Sequence, residues 1–341
     1  LKVGIAFDLA PSGPSRTKVD GPDDRFEEFD KPETVNAVAE VLRARGHTVE
    51  LLGDGLDLIR RVLAEPPDLV WNMAEGVGIG RSREARVPAL LEMLNIPYTG
   101  SDPLTLAATL DKSVAKRLVA FAGGVSIPDG HAFTEGIIQD QFESLIAPIL
   151  DRGRVILKPS FEGSSKGIRG RCLAESLNEA WETYSDLART YAQPILVEEF
   201  IAGEEVTVGL VGNEPRGNAI GTMRVVPKAA DPLFVYSLEV KRDWERRVDY
   251  EAPAKLDPDV SARLIVAADA CYDRLGCRDL ARIDFRIREG IPYFIEANPL
   301  PGLAPVTSDL VILANGYGIP YPALIARIFE AALKRLGMVE R

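Results

Sequence analysis

Residues Leu280–Gly302 read LARIDFRIREGIPYFIEANPLPG. Two runs, LARIDFRI and IPYFIEANP, have the texture of β-strands, and Arg288-Glu289-Gly290 between them reads as a turn. The two-residue period places Arg282 and Asp284 on one face of the first strand, and Glu296 and Asn298 on one face of the second. If the strands pair across the turn, these faces coincide. Ile283, Phe285, Ile295 and Ala297 then form the opposite, apolar face, and Pro299-Leu300-Pro301-Gly302 follows as an ordered turn. Two carboxylates and an amide oxygen on one surface are hard oxygen ligands of the kind Mg2+ takes. A solvated edge hairpin is the alternative, disfavoured by the apolar reverse face and the turn that follows at once.

Further upstream, Val155–Gly167 reads VILKPSFEGSSKG: an apolar strand ending on Lys158, then a loop of small residues. Small residues let backbone amides approach phosphate oxygens, and a lysine nearby supplies positive charge. Neither GxxxxGK[ST] nor GxGxxG is present, so an ordinary hairpin loop competes with this reading when the stretch is taken alone. Between the two, Ile195–Glu205 reads ILVEEFIAGEE, an apolar strand ending in acids. A purine amine and ribose hydroxyls would give those acids donors, and a surface turn is the equal alternative.

The whole composition fits such a small-molecule site. Hydrophobic residues make up 46% and charged residues 27%, as in soluble globular proteins, and no apolar run reaches the roughly 18 residues of a membrane span. A formal charge of −11 disfavours nucleic acid as the main partner. Cys172, Cys271 and Cys277 form no CxxC pair, which points to a reducing compartment and no zinc site. His47 and His131, the only histidines, have no nucleophile beside them, which argues against Ser-His-Asp or Cys-His chemistry. The stretch given shows no charged-then-apolar leader, and the expected location is cytoplasmic.

The 341 residues are too many for one ordinary core. The first hundred alternate strand and helix: KVGIAF, then a helix over Pro32–Gly46, HTVELL, DLVWNMA, and a helix over Arg83–Leu94. That rhythm predicts a parallel sheet with helices on its faces. Pro11–Asp30, rich in Pro, Gly and Asp, is long for a loop within a compact domain, and such loops are functional lids or disordered. After Asp102 come two helices, over Pro103–Leu110 and Lys112–Ala122, then a small α+β unit, and after Gln193-Pro194 strands dominate. The predicted division is 1–104, 105–194 and 195–341.

In combination, KPSFEGSSKG, VEEFIAGEEVTV, RIDF and EANPLPG resemble four ordered motifs of the ATP-grasp enzymes, most closely the D-alanine–D-alanine ligase branch, from about Asp111 to Gly302. The resemblance implies an α/β ATP-grasp fold, with a Rossmann-like first domain and two α+β subdomains enclosing ATP. It implies that Lys112 and Lys158 contact the ATP phosphates beneath a closing loop, Glu162, Gly163, Ser164, Ser165, Lys166 and Gly167. Glu198 would meet the adenine amine, with Glu199 and backbone groups of Phe200 and Ile201 beside it, and Glu205 the ribose. Asp284, Glu296 and Asn298 would hold two Mg2+ ions, with Mn2+ as a substitute, while Arg282, Lys241 and Ser165 serve catalysis. Lys166 stands where the family is commonly aliphatic, so a second positive charge at the phosphates is expected.

The implied activity joins a carboxylate to an amine through an acyl phosphate, releasing ADP and phosphate; small-molecule substrates and a homodimer through the first domain are the implied partners. The first domain departs from the family. HGxxGEDGxxQG is absent; Asn72-Met73-Ala74-Glu75-Gly76 and Arg81-Ser82-Arg83-Glu84-Ala85 stand in its place. Glu33 is the candidate for the glutamate that grips the first amino group, although an acid in a helix's first turn also suits the helix dipole. Thr307 or Ser308 replaces a displaced serine. The favoured expectation is therefore a related ligase with a different amino acid or amine, ahead of a D-alanine–D-alanine ligase of cell-wall synthesis and of a nucleotide sensor without chemistry.

Overall fold

In the computed structural model, which describes residues 1–10, 22–121 and 124–338, three β-sheets surround two adjoining cavities. The chain begins with β1 (Lys2–Phe7), α1 (Pro32–Ala44), β2 (Thr48–Gly53), α2 (Gly55–Ala64), β3 (Leu69–Met73) and α3 (Arg86–Met93). The strands are parallel in the order β2-β1-β3, as the alternation predicted. Helix α1 opens with Pro32 and buries Val35, Val38, Ala39 and Leu42, the i, i+3, i+4, i+7 stripe of a helix lying on a sheet. Helix α3 starts three residues later than the sequence suggested. Residues 82–85 turn instead, and Arg83 points inward, donating to the Phe161 carbonyl at 2.5 Å. Of the long Pro11–Asp30 loop, residues 11–21 lie outside the described residues; its far end returns at a bridge between Leu9 and Asp30.

Helices α4 (Pro103–Leu110) and α5 (Lys112–Ala120) follow, capped by the carboxylates of Asp102 and Asp111. Then come β4 (Gly130–Phe133), α6 (Gln139–Leu150), β5 (Val155–Pro159), β6 (Leu173–Ala174), α7 (Leu177–Tyr191) and β7 (Ile195–Glu199). These strands form an antiparallel sheet, β4-β7-β5-β6, packed through Phe142, Ile146 and Tyr184 onto α6 and α7. Because β7 pairs with β4 and β5, the sheets divide after Glu199 and not at residue 194.

The third unit contains β8 (Glu204–Val211), β9 (Ala219–Pro227), α8 (Leu238–Arg242), α9 (Trp244–Arg247), β10 (Val248–Glu251), α10 (Pro258–Leu275), β11 (Leu280–Arg288) and β12 (Ile291–Asn298). Its sheet is antiparallel in the order β10-β9-β8-β11-β12. Two final helices, α11 (Asp309–Gly316) and α12 (Tyr321–Arg335), return to the first sheet, where Phe329 packs on Trp71 and His47. No helix among the described residues is long and apolar enough to cross a membrane.

Candidate active site

Strands β11 and β12 pair with Arg282 opposite Asn298 and Asp284 opposite Glu296, so the four polar side chains share a face, as the alternation required. A bulge after Asp284 alters one detail. It pairs Phe285 with Phe294, sends Phe294 into the core, and leaves Ile295 lining a cavity instead of the apolar reverse face.

Asp284 accepts from Arg282 Nε at 3.0 Å and Nη2 at 2.9 Å, from Asn298 Nδ2 at 3.2 Å and from the Thr207 hydroxyl. Arg282 also donates to Asp309 at 2.8 Å. Burial raises the Asp284 carboxyl, and Arg282 opposes that rise only in part. Glu296 goes the other way: burial pushes it up, but Lys112, Lys158, Arg282 and Lys241 outweigh this and hold it well below the usual carboxylate range. Lys112 Nζ lies 3.2 Å from Glu296 and donates to the Glu162 carbonyl.

A mainly apolar slot extends from here between the central and third sheets, lined by Ile168, Ile201, Met223, Val225 and Phe285. At its inner end Glu198, 1% exposed, lies 2.8 Å from Lys158 and 3.1 Å from Lys116. Burial raises Glu198, yet the two lysines outweigh it and keep its carboxylate ionised. The oxygen facing Lys116, Oε2, is fully buried and has no well-aligned hydrogen bond. Lys116 was not anticipated; burial lowers its ammonium to about 8 despite Glu198. The signal for it was only the helical spacing from Lys112. Arg286 was also missed, although RIDFRIR puts it at strand spacing from Asp284. It donates to the carbonyls of Ile201 at 2.6 Å, Gly203 at 2.9 Å and Phe234 at 3.0 Å and to Glu205 at 2.9 Å, fixing the turn between β7 and β8. The Phe200 N–H is occupied by the Arg154 carbonyl, and Glu199 pairs outward with Arg288 at 2.6 Å.

The loop after β5 closes over the slot. Ser164 and Ser165 adopt left-handed backbone angles, φ 49° and 59°, and the Ser165 hydroxyl donates to the Tyr236 carbonyl at 2.9 Å. Gly167, φ 75°, is required: a Cβ there would stand 2.5 Å from the Pro159 ring. Residues 23–28 grip this loop. Glu28 accepts from Arg83 at 2.8 Å, from Lys166 at 2.9 Å and from the Gly163 N–H; Asp24 accepts from the Gly167 N–H at 3.1 Å and from Tyr191 at 2.6 Å. Lys166 is held between Glu28 and Glu162, so its charge is neutralised there and is not offered to the phosphates as expected. Burial raises Glu28, but Arg83 and Lys166 outweigh it and keep it ionised.

A second, polar cavity lies between the first domain and the hairpin. Glu75, Glu84, Glu162, Gly163, Ser164 and Asn298 are among its walls, with Thr307 and Ser308 at the far side. The two cavities meet at Lys241, Arg282 and Glu296. Glu33 is not on either wall: it is exposed on the first turn of α1. Of the predicted site residues the fold places all but Glu33, Lys166 and Gly167 on the walls of the two cavities, and Glu28 is the first-domain glutamate held against the loop.

An apolar slot whose buried carboxylates are paired with lysines and arginines along its walls suits an adenine nucleotide, and the second cavity adjoins it at Lys241, Arg282 and Glu296. The profile of a family described as D-ala D-ala ligase C-terminus matches residues 132–330. A D-alanine–D-alanine ligase of Aquifex aeolicus is 33% identical over 298 residues, covering 86% of this chain and 93% of that one. One from Desulforamulus reducens is 30% identical over 308 residues, 88% and 92% of the two chains. This chain belongs to the D-alanine–D-alanine ligase family. Among solved structures, the D-alanine–D-alanine ligase of Bacillus anthracis complexed with ATP superposes with a TM-score of 0.73 at 22% identity, covering 98% of each chain. That of Coxiella burnetii gives 0.69 at 18%, covering 98% of this chain and 94% of the other. The fold is thus the ATP-grasp fold of the D-alanine–D-alanine ligase family, and the chain is an ATP-dependent ligase of that family.

Proposed function

We propose that the protein joins an amino-acid-type carboxylate to an amine. The carboxylate attacks the γ-phosphorus of ATP, the bond to the bridging oxygen breaks, and an acyl phosphate and ADP form. The amine then attacks the acyl carbon, phosphate leaves, a proton passes to solvent, and an amide results. The observation that carries this reading is the meeting of the nucleotide-shaped slot with the polar cavity at Lys241, Arg282 and Glu296.

Each group then has a physical task. Glu198 accepts the adenine amine, and Glu205 faces the ribose. Lys112 and Lys158 neutralise phosphate oxygens, and Arg282 stabilises the oxyanion of the tetrahedral intermediate, where fixed charge acts most strongly. Asp284, Glu296 and the Asn298 amide oxygen are a hard-oxygen set that fits Mg2+; when bound, the ions would add the charge that three phosphates need. No third carboxylate, thiolate or imidazole joins the two acids among the described residues, which leaves coordination positions for phosphate and water. The Ser164–Ser165 loop, latched by Glu28, excludes water from the acyl phosphate.

The substrates are amino acids or close relatives of them, and the altered first-domain wall favours a pair other than two D-alanines. The named activity of the relatives supports the second reading, D-alanyl-D-alanine synthesis. An ADP-release screen with MgATP over D- and L-amino acids, singly and in pairs, separates them: turnover with D-alanine alone selects the second reading, and turnover only with another pair selects the first. ATP binding without ADP release from any pair would overturn both.

A further inference from the structure

Within the polar cavity, of about 250 Å3, the charges are unevenly matched. Glu27, Glu28, Glu162 and Glu296 each meet a lysine or arginine side chain. Glu75, Glu84 and Asp30, on the first-domain wall, have no ion pair among the described residues. Glu84 is only 8% exposed, and Glu75 stands beside it. The cations nearby are engaged elsewhere: Arg83 holds Glu28 and the Phe161 carbonyl, and Lys112 holds Glu296. Lys31, at the rim, is exposed and pairs with none of the three.

Buried carboxyls without a cation are unfavourable, and two in contact cannot both ionise. Burial together with Glu84 accordingly pushes Glu75 well above its usual range, and burial pushes Asp30 up to about 7. A pocket lined this way is completed by a ligand that brings the positive charge. A neutral amino acid brings a single ammonium, which leaves acids on this wall unmatched.

We propose that one of the two ligated substrates is a basic amino acid whose side-chain ammonium or guanidinium is received by Glu84 and Glu75. This rests on the ligase reading above. The reacting end of the substrate then lies by Lys241, Arg282 and Glu296, where this cavity meets the nucleotide slot.

ADP release is to be measured with MgATP and pairs drawn from alanine, lysine, ornithine and arginine in both configurations, for the native protein, Glu84→Gln and Glu75→Gln. The expected result is a kcat/KM for a pair containing a basic amino acid roughly tenfold or more above that for alanine pairs, a preference that either variant lowers by a similar factor. Ornithine and lysine against arginine tell ammonium from guanidinium. ADP affinity and melting temperature of the variants check that the fold is intact. Equal or better turnover of alanine pairs would overturn the proposal while leaving the ligase reading in place. So would variants that lower turnover of basic and neutral pairs alike, because the acids would then be merely structural. No ADP release from any pair overturns the ligase reading, and the proposal with it.

Discussion

The two walls of the site use the same residue type in opposite ways. On the nucleotide side each buried acid has a cation within reach: Glu198 between Lys116 and Lys158, Glu296 beside Lys112, Glu205 beside Arg286, Asp284 against Arg282. On the first-domain side Glu75 faces Glu84. A wall built for phosphates must be rich in cations, and its own acids keep those cations in place until the ligand arrives. A wall whose acids are unmatched holds protons instead, and is ready for a ligand of the other sign.

This contrast can be broken at both ends and at the seam between them. The largest effect is expected on the nucleotide side. Glu296→Ala removes a proposed metal ligand and the partner of Lys112, and should lower kcat by roughly a thousandfold with the circular dichroism spectrum unchanged. Near-normal turnover would remove Glu296 from the reaction altogether. At the seam, Glu28→Ala leaves Arg83 and Lys166 without their shared carboxylate, at side-chain exposures of 1% and 6%. Stability to urea should fall by about 3 kcal/mol, and trypsin should cut after Lys166 sooner. A urea midpoint equal to the native one would show that residues 23–28 do not hold the loop shut.

The smallest effect sharpens the acidic wall. Burial, reinforced by Asp8, raises the Asp30 carboxyl from 3.8 to about 7, so between these values the folded protein keeps a proton that the unfolded chain releases. Stability from this source is full at low pH and is lost as the pH rises through that window. Urea midpoints of the ligand-free protein at pH 5 and pH 8 should differ less in Asp30→Asn than in the native chain. Identical slopes would mean that Asp30 is solvated and ordinary.

What could be read from the sequence was local. The β11–β12 face follows from a two-residue period, and the Gly/Ser loop from residue size, so the shared face of Asp284, Glu296 and Asn298 and the place of Lys158 near the end of β5 were legible without coordinates. The bulge at Ile295 escaped because one extra residue inverts the alternation and leaves no compositional trace. Long-range pairing escaped as well. Glu28 meets Gly163 and Lys166 across 135 and 138 residues, and no periodicity connects positions that far apart. That Glu28 turns inward while Glu33 stays exposed on α1 was hidden for the same reason: both are acids near the start of that helix, and only the fold distinguishes them.

The return of α12 to the first sheet has a bearing on how the chain is made. Val3, Ile5 and Trp71 share one core with Leu324, Ile328, Phe329 and Leu333, so β1 and β3 wait for the much later α12 before that apolar face is fully covered. Until α12 has been made, the part of this face that α1 does not cover stays open, which makes it a segment where a chaperone would bind and where aggregation would begin.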